Sequence, residues 1–142
     1  VSYATTQNLI DRFGTRMLIA LTDRGEVALN MINTGTVDRT LSDTDAMIDG
    51  HLAARYVLPV TSVPPLLVDL ALQIAIYKLH VAAPDPKIEE DYKQALRSLK
   101  DISNGTVRLP IAGLEPAATG ASGARITDRK RPLNAKDMTG FI

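Results

Sequence analysis

The sequence predicts a mainly α-helical fold: a small bundle of four to five helices, a short extended arm and a long C-terminal tail. Three observations predict it. Apolar residues recur at spacings of three and four through residues 37–52 and again through 88–102, the period of an amphipathic helix. The run Leu66 to Val81 is apolar on nearly every face, as in a helix enclosed by its neighbours. Beyond Ile111 the periodicity stops and Ala and Gly take over. These changes divide the chain into a helical bundle over 1–111, a flexible linker over 112–124 and a tail over 125–142.

The elements follow in order. Thr5 and Thr6 before Gln-Asn-Leu-Ile-Asp-Arg-Phe, with Gly14 after, bracket a short helix that carries Leu9, Ile10 and Phe13 on one face. Thr15 to Thr22 reads as a second short helix bearing Met17, Leu18 and Leu21, broken by Asp23-Arg24-Gly25. From about Val27 to Arg55 the pattern is helical, with an interruption expected at Thr34-Gly35-Thr36. Its second part aligns Val37, Leu41, Thr44, Ile48 and Leu52 in one stripe. Gly50 lies inside this helix at a cost of about 1 kcal/mol relative to Ala, and close approach of another backbone is expected there.

Val63-Pro64-Pro65 opens the apolar helix, since Pro suits a first helical position. That helix is the expected centre of the core. Ala82-Ala83-Pro84-Asp85-Pro86 breaks it. The next helix, about Pro86 to Ser103, buries Ile88, Tyr92, Ala95, Leu96, Leu99 and Ile102. Asp85 is placed to cap it, Glu89 and Lys93 to pair across one turn, and Asn104-Gly105 to stop it. Val107, Leu109 and Ile111 alternate with other residues, as in a short strand or an extended arm.

Composition narrows the chemistry. The 142 residues are 45% hydrophobic but only 4% aromatic, with no Trp, so the core must be aliphatic. Without Cys there are no disulfides, thiolate metal sites or cysteine nucleophiles. No export signal is visible at the N-terminus. The apolar helix carries Asp69, Gln73 and Lys78 and falls short of the roughly 18–20 residues of a membrane span, so a soluble chain with no membrane partner is expected. Net charge is zero but unevenly placed. Residues 1–120 hold 11 Lys+Arg against 14 Asp+Glu, net −3, and residues 121–142 hold 5 against 2, net +3.

The thirteen linker residues would reach roughly 45 Å fully extended and about 20 Å as a coil. Beyond them come Arg125, the run Arg129-Lys130-Arg131, and then Leu133, Met138, Phe141 and Ile142. Asn134 and Gly140 could bracket a single helical turn. A tail that is basic, then apolar, at the end of a tether is suited to docking on another surface.

Catalytic constellations are sparse. Asp45 and Asp49 lie four apart on one helical face, but His51 points roughly 200° away from Asp49, so a solvated face is expected rather than a metal or acid–base site. His80, at the end of the apolar helix, is expected to be a partly buried, hydrogen-bonded core residue. The phosphate-loop and hydrolase signatures GxxxxGK, GxGxxG, HExxH and GxSxG do not occur. No catalytic, metal or cofactor site is assigned, and a non-enzymatic protein is expected. The basic run lacks aromatic interleaving and a neighbouring recognition helix, which weighs against nucleic acid as its partner.

Several segments together resemble the Mu-like prophage neck proteins. They are Tyr3 to Gly14, Leu18 to Asp23, and Ile48-Asp-Gly-His-Leu-Ala-Ala-Arg-Tyr56 followed by Leu58-Pro59 and Val63-Pro-Pro-Leu-Leu67. Tyr92 to Ile102 with Gly105, and Arg131 to Phe141, complete the likeness. Leu133 stands where an aromatic is commoner in that family. The resemblance implies a kinship with head-completion adaptors of long-tailed phages, small helical subunits that form a ring, typically of twelve copies, beneath the portal.

It implies that Arg125, Arg129, Lys130, Arg131, Leu133, Met138, Phe141 and Ile142 dock on the portal protein. It also implies a location in the virion neck after synthesis in the host cytoplasm, and a tail-side neck or tail-terminator protein as a further partner. In such a ring Asp38, Asp45 and Asp49 would face the channel and let packaged DNA slide past without specific binding. Two alternatives stand beside this one: a tail-terminator or tail-completion subunit, and a small DNA-binding regulator using the basic C-terminal segment.

Overall fold

A computed structural model of the chain describes residues 2–111 and 113. The chain divides into two units, Val1–Ala112 and Gly113–Ile142, and the helices of the described residues belong to the first. They are α1 (Thr6–Phe13), α2 (Thr15–Thr22), α3 (Thr34–Leu52), α4 (Pro65–Leu79) and α5 (Pro86–Ser103). The described residues form five helices and no strand, the mainly helical bundle that the periodicity predicts.

Local chemistry sets the helix ends. The Thr5 hydroxyl accepts the Asn8 N–H at 3.1 Å, and the Asn8 side chain accepts the Thr5 N–H at 3.0 Å, a reciprocal cap on α1. Gly14, at φ +90, lets the chain turn at once into α2. Pro64 and Pro65 start α4, and the Asp85 carboxylate accepts the Lys87 N–H at 2.9 Å to start α5. The expected Glu89–Lys93 pair is present at 3.4 Å.

α3, α4 and α5 pack on one another, while α1 sits against α3 and α4 and α2 against α1. α4 contributes Leu67, Leu70, Ala71, Leu72, Ile74, Ala75, Ile76 and Leu79 to the buried set, more than any other helix. Its low amphipathicity follows directly, because α1, α3 and α5 all cover it. α3 presents its predicted stripe of Val37, Leu41, Thr44, Ile48 and Leu52, all buried. Burial of each large aliphatic side chain stabilises the fold by roughly 1.5–3 kcal/mol. Tyr77 and Tyr92 stack across α4 and α5 with ring centroids 3.9 Å apart.

Four expectations need correction or choice. Residues 27–33 are not helical, and Thr34-Gly35-Thr36 is the first turn of α3 instead of an interruption. The Asn33 side chain caps that turn by accepting the Thr36 N–H at 3.1 Å. The Asp23 carboxylate accepts the N–H groups of Leu29 and Asn30, and Asn30 takes φ +56, which together hold this segment as a loop. The apolar helix stops at Leu79, two residues short, and Val81 is exposed. Among the described residues a side-chain methyl at Gly50 would meet nothing within 4 Å, so the expected close approach of a backbone is not found there. Residues 106–111 form the arm and not a strand: Thr106 and Val107 donate their N–H groups to Asp101 O, and Leu109 is buried.

Candidate functional site

The carboxylates singled out on α3 do not share one environment. Asp45 and Asp49 lie one turn apart on the same face, and Tyr3 bridges them. Its backbone N–H donates to Asp45 Oδ1 at 3.0 Å and its hydroxyl donates to the Asp49 carboxylate. Both carboxylates are half-buried, so the expected solvated face is corrected here: they hold the N-terminal segment onto α3. Burial raises the Tyr3 pKa above its ordinary value of 10.0, and the charges of Asp49 and Asp45 push it the same way.

Asp38 is the exposed member of the three. With Leu41 and Asp45 it lines an open groove of about 540 Å³ against Ala4 and Thr5. His51 Nδ1 faces Met47 O at 2.9 Å within its own helix, and His80 Nδ1 faces Ile76 O at 2.8 Å, half-buried as expected. Among the described residues no three His, Asp or Glu side chains are grouped to hold a metal ion, and no helix is long and apolar enough to cross a membrane.

The tail residues Arg125, Arg129, Lys130, Arg131, Leu133, Met138, Phe141 and Ile142 lie outside the described residues. Arg55 donates from Nε to Ser103 O at 2.9 Å and from Nη2 to Asn104 O at 3.0 Å, a guanidinium placed on the carbonyl end of α5. Gly105 follows at φ +84, where a Cβ would lie 2.7 Å from Arg55 Cζ, so only glycine fits without displacing the guanidinium. One residue on from Arg55, the Tyr56 hydroxyl accepts the buried Leu109 N–H at 2.9 Å. Arg55 and Tyr56 therefore clamp α5 and the arm to the end of α3. These contacts join residues 48 to 53 positions apart, and no local pattern signals them.

A second surface went unrecognised in the sequence. Val27, Leu29 and Met31 are 71%, 65% and 62% exposed, yet the loop that carries them is firmly held. The Asp23 carboxylate accepts the N–H groups of Leu29 and Asn30 at 3.0 and 2.9 Å. Arg24 donates from Nη2 to Leu79 O at 2.6 Å. The fully buried Thr22 accepts the Asn33 N–H at 3.0 Å while donating to Leu18 O at 2.7 Å. Asn30 takes a left-handed conformation, φ +56, which Asn tolerates better than most residues. The period-two spacing of 27, 29 and 31 was the available signal.

A cleft of about 320 Å³ is lined by Phe13, Gln73, Ile76 and Ile88. Arg12, Lys87 and Asp91 stand around it. Arg12 pairs with Asp69 at 2.7 Å and Lys87 with Asp91 at 2.7 Å, both partly exposed and worth little to stability. The described surface thus offers an apolar projection, a recess of mixed polarity and a groove with two carboxylates.

Residues 3–128 match the family described as Bacteriophage Mu, Gp36. The chain is 28% identical to gene product J of Escherichia phage Mu over 142 residues, all of both chains. It is 26% identical to the Mu-like prophage FluMu protein gp36 of Haemophilus influenzae, again over all of this chain and 99% of the relative.

Proposed function

This chain belongs to the Bacteriophage Mu, Gp36 family, and from that premise we propose that it is a head–tail connector subunit of the virion neck. Copies form a ring under the portal, twelve in number by analogy with head-completion adaptors, and each docks to the portal through residues 125–142. The ring passes packaged DNA without binding it specifically and presents a surface to a tail-side neck or tail-terminator protein. Asp38, the exposed carboxylate of α3, is the best placed of the three to face a channel. The role is binding, with no chemical step.

One observation carries this reading. The buried apolar set of the bundle runs from Tyr3 to Leu109, and α4 is already covered by its own neighbours. Leu133, Met138, Phe141 and Ile142, together with Arg129-Lys130-Arg131, come after an Ala/Gly-rich stretch and add a cationic and apolar segment to a bundle whose residues 1–120 carry net −3. The similarity to both phage relatives extends over this segment. An apolar segment of this kind, with basic residues ahead of it, suits a partner with an apolar groove and an acidic rim.

The test is a chain ending at Gly120. It should melt like the full chain yet lose capture by purified portal and fail to complete infectious particles. Retention of both functions would remove the docking claim. Capture by tail tube and not by portal would move the subunit to the tail-completion position. Salt-dependent binding to duplex DNA, lost when Arg129, Lys130 and Arg131 are changed, would replace the reading with a DNA-binding one.

A further inference from the structure

We propose that Asn104-Gly105 is a self-modification site, a deamidation site that the Arg55 guanidinium keeps shut in the folded chain. It is the sole Asn–Gly pair in the sequence. Asn is a thermolabile residue, and it reacts fastest before Gly, whose missing side chain leaves the backbone nitrogen open to approach. In the reaction the Gly105 N–H gives up its proton and the nitrogen bonds to the side-chain carbonyl carbon of Asn104. The bond from that carbon to the amide nitrogen breaks, and ammonia leaves. Water then opens the five-membered imide at one of its two carbonyls. One opening leaves Asp at 104. The other leaves an isoaspartyl link, in which the backbone runs through the former side chain and is one carbon longer. Water is the only co-reactant.

The structure sets exposure against geometry at this pair. Asn104 is exposed, so water reaches it. Its backbone, however, lies at φ −84 and ψ −8, in the helical region, and the ring closes only when ψ turns far from there. Turning ψ swings the peptide plane between Asn104 and Gly105, and both ends of that plane are tied. Arg55 Nη2 donates to its oxygen, Asn104 O, at 3.0 Å, while Nε holds the preceding carbonyl, Ser103 O, at 2.9 Å. At the other end the Gly105 N–H, the future nucleophile, donates to Ile102 O at 3.1 Å. The guanidinium also packs close against Gly105, where a Cβ would lie 2.7 Å from Arg55 Cζ.

Reaction therefore runs through the small fraction of molecules in which this turn has opened, and its rate is the open-state rate scaled by that fraction. Once the isoaspartyl link forms, the added carbon moves Gly105 out of register with Arg55. The bonds that follow, from the Thr106 and Val107 N–H groups to Asp101 O at 2.9 and 3.2 Å, lose the geometry they need. A transient opening thus becomes a permanent one. The inference goes beyond the connector reading and does not depend on it.

The full chain tests it. After incubation at mildly alkaline pH, well below the melting transition, trypsin cuts after Lys100 and Arg108 and releases residues 101–108. Mass spectrometry then separates the amide from the acid form, and each conversion also lowers the isoelectric point below about 6.9. Folded wild type should convert at least about tenfold more slowly than the same chain unfolded in urea. Arg55→Ala should raise the folded rate about fivefold or more. Arg55→Lys should raise it less, since one ammonium does not reproduce the fork on two carbonyls; it also carries the test should Arg55→Ala not fold by circular dichroism. Ile48→Val weakens the core away from this turn and should leave the rate within about twofold. Equal rates for folded and unfolded wild type, an unchanged rate in the folded Arg55 variants, or as large an acceleration from Ile48→Val would each overturn the proposal.

Discussion

Replacing Tyr56 by Phe removes one oxygen from the junction of α3 and the arm and leaves the ring in place. That oxygen accepts the Leu109 N–H at 2.9 Å across 53 positions of sequence. Both residues are nearly inaccessible, at 7% and 6% exposure. Without the hydroxyl the amide has two outcomes. Left buried and unpaired, it costs about 1–3 kcal/mol. Alternatively the arm lifts to admit water, which forfeits part of the roughly 1.5–3 kcal/mol from burying Leu109.

The cheaper route decides, so a loss of about 1–2 kcal/mol is expected. For a bundle of this size that lowers Tm by about 4–8 °C. Thermal unfolding followed by circular dichroism measures the loss, and amide hydrogen exchange localises it. Leu109 should exchange about tenfold faster, in line with 1.4 kcal/mol per decade, while amides in the middle of α4 change only as far as global stability does. An unchanged Tm together with unchanged Leu109 protection would show that the hydroxyl is not that amide's partner, and the clamp argument would fall with it.

Two further predictions concern glycine and the N-terminal segment. Gly50→Ala adds a methyl in open space within a helix and should stabilise the bundle by about 0.5–1 kcal/mol, whereas Gly105→Ala, at φ +84 and against Arg55, should destabilise it by about 1 kcal/mol or more; melts that move in the same direction would contradict this account. Tyr3→Phe removes the bond to Asp49 and, because the folded pKa of Tyr3 lies above 10.0, its contribution is full below pH 10 and lost as pH rises past it. Between about pH 9 and 11 the wild type should therefore lose more stability than Tyr3→Phe, and equal slopes in denaturant titrations would count against the Tyr3–carboxylate bridge.

Particular elements show what was readable. α5 could be bounded from Asp85-Pro86 and Asn104-Gly105 because caps act through covalently near atoms. The α3 stripe could be listed residue by residue because helical period maps spacing onto direction. The same logic misled at 27–33. There the sequence neighbours were continued into a helix, but Asp23 accepts two amides of the loop and Thr22 a third, and this fixes a loop instead. Asp45 and Asp49 were correctly placed on one face, yet the residue that makes use of that face is Tyr3, 42 and 46 positions away. The stretch Ile48 to Tyr56, the most specific part of the family resemblance, turns out to hold Asp49, Arg55 and Tyr56, each anchoring a distant segment.

The amino-acid order alone therefore decided the helical class, the bounds of α5, the aliphatic core, the family and the change of composition after Ile111, since each depends on residues within a few positions of one another. Tertiary structure decided which of α3's carboxylates are occupied, where the arm is clamped, and that an apolar loop stands out in water. Those features arise when segments far apart in the chain meet, and their free energy comes from burial and hydrogen-bond satisfaction that exist only once the bundle has closed.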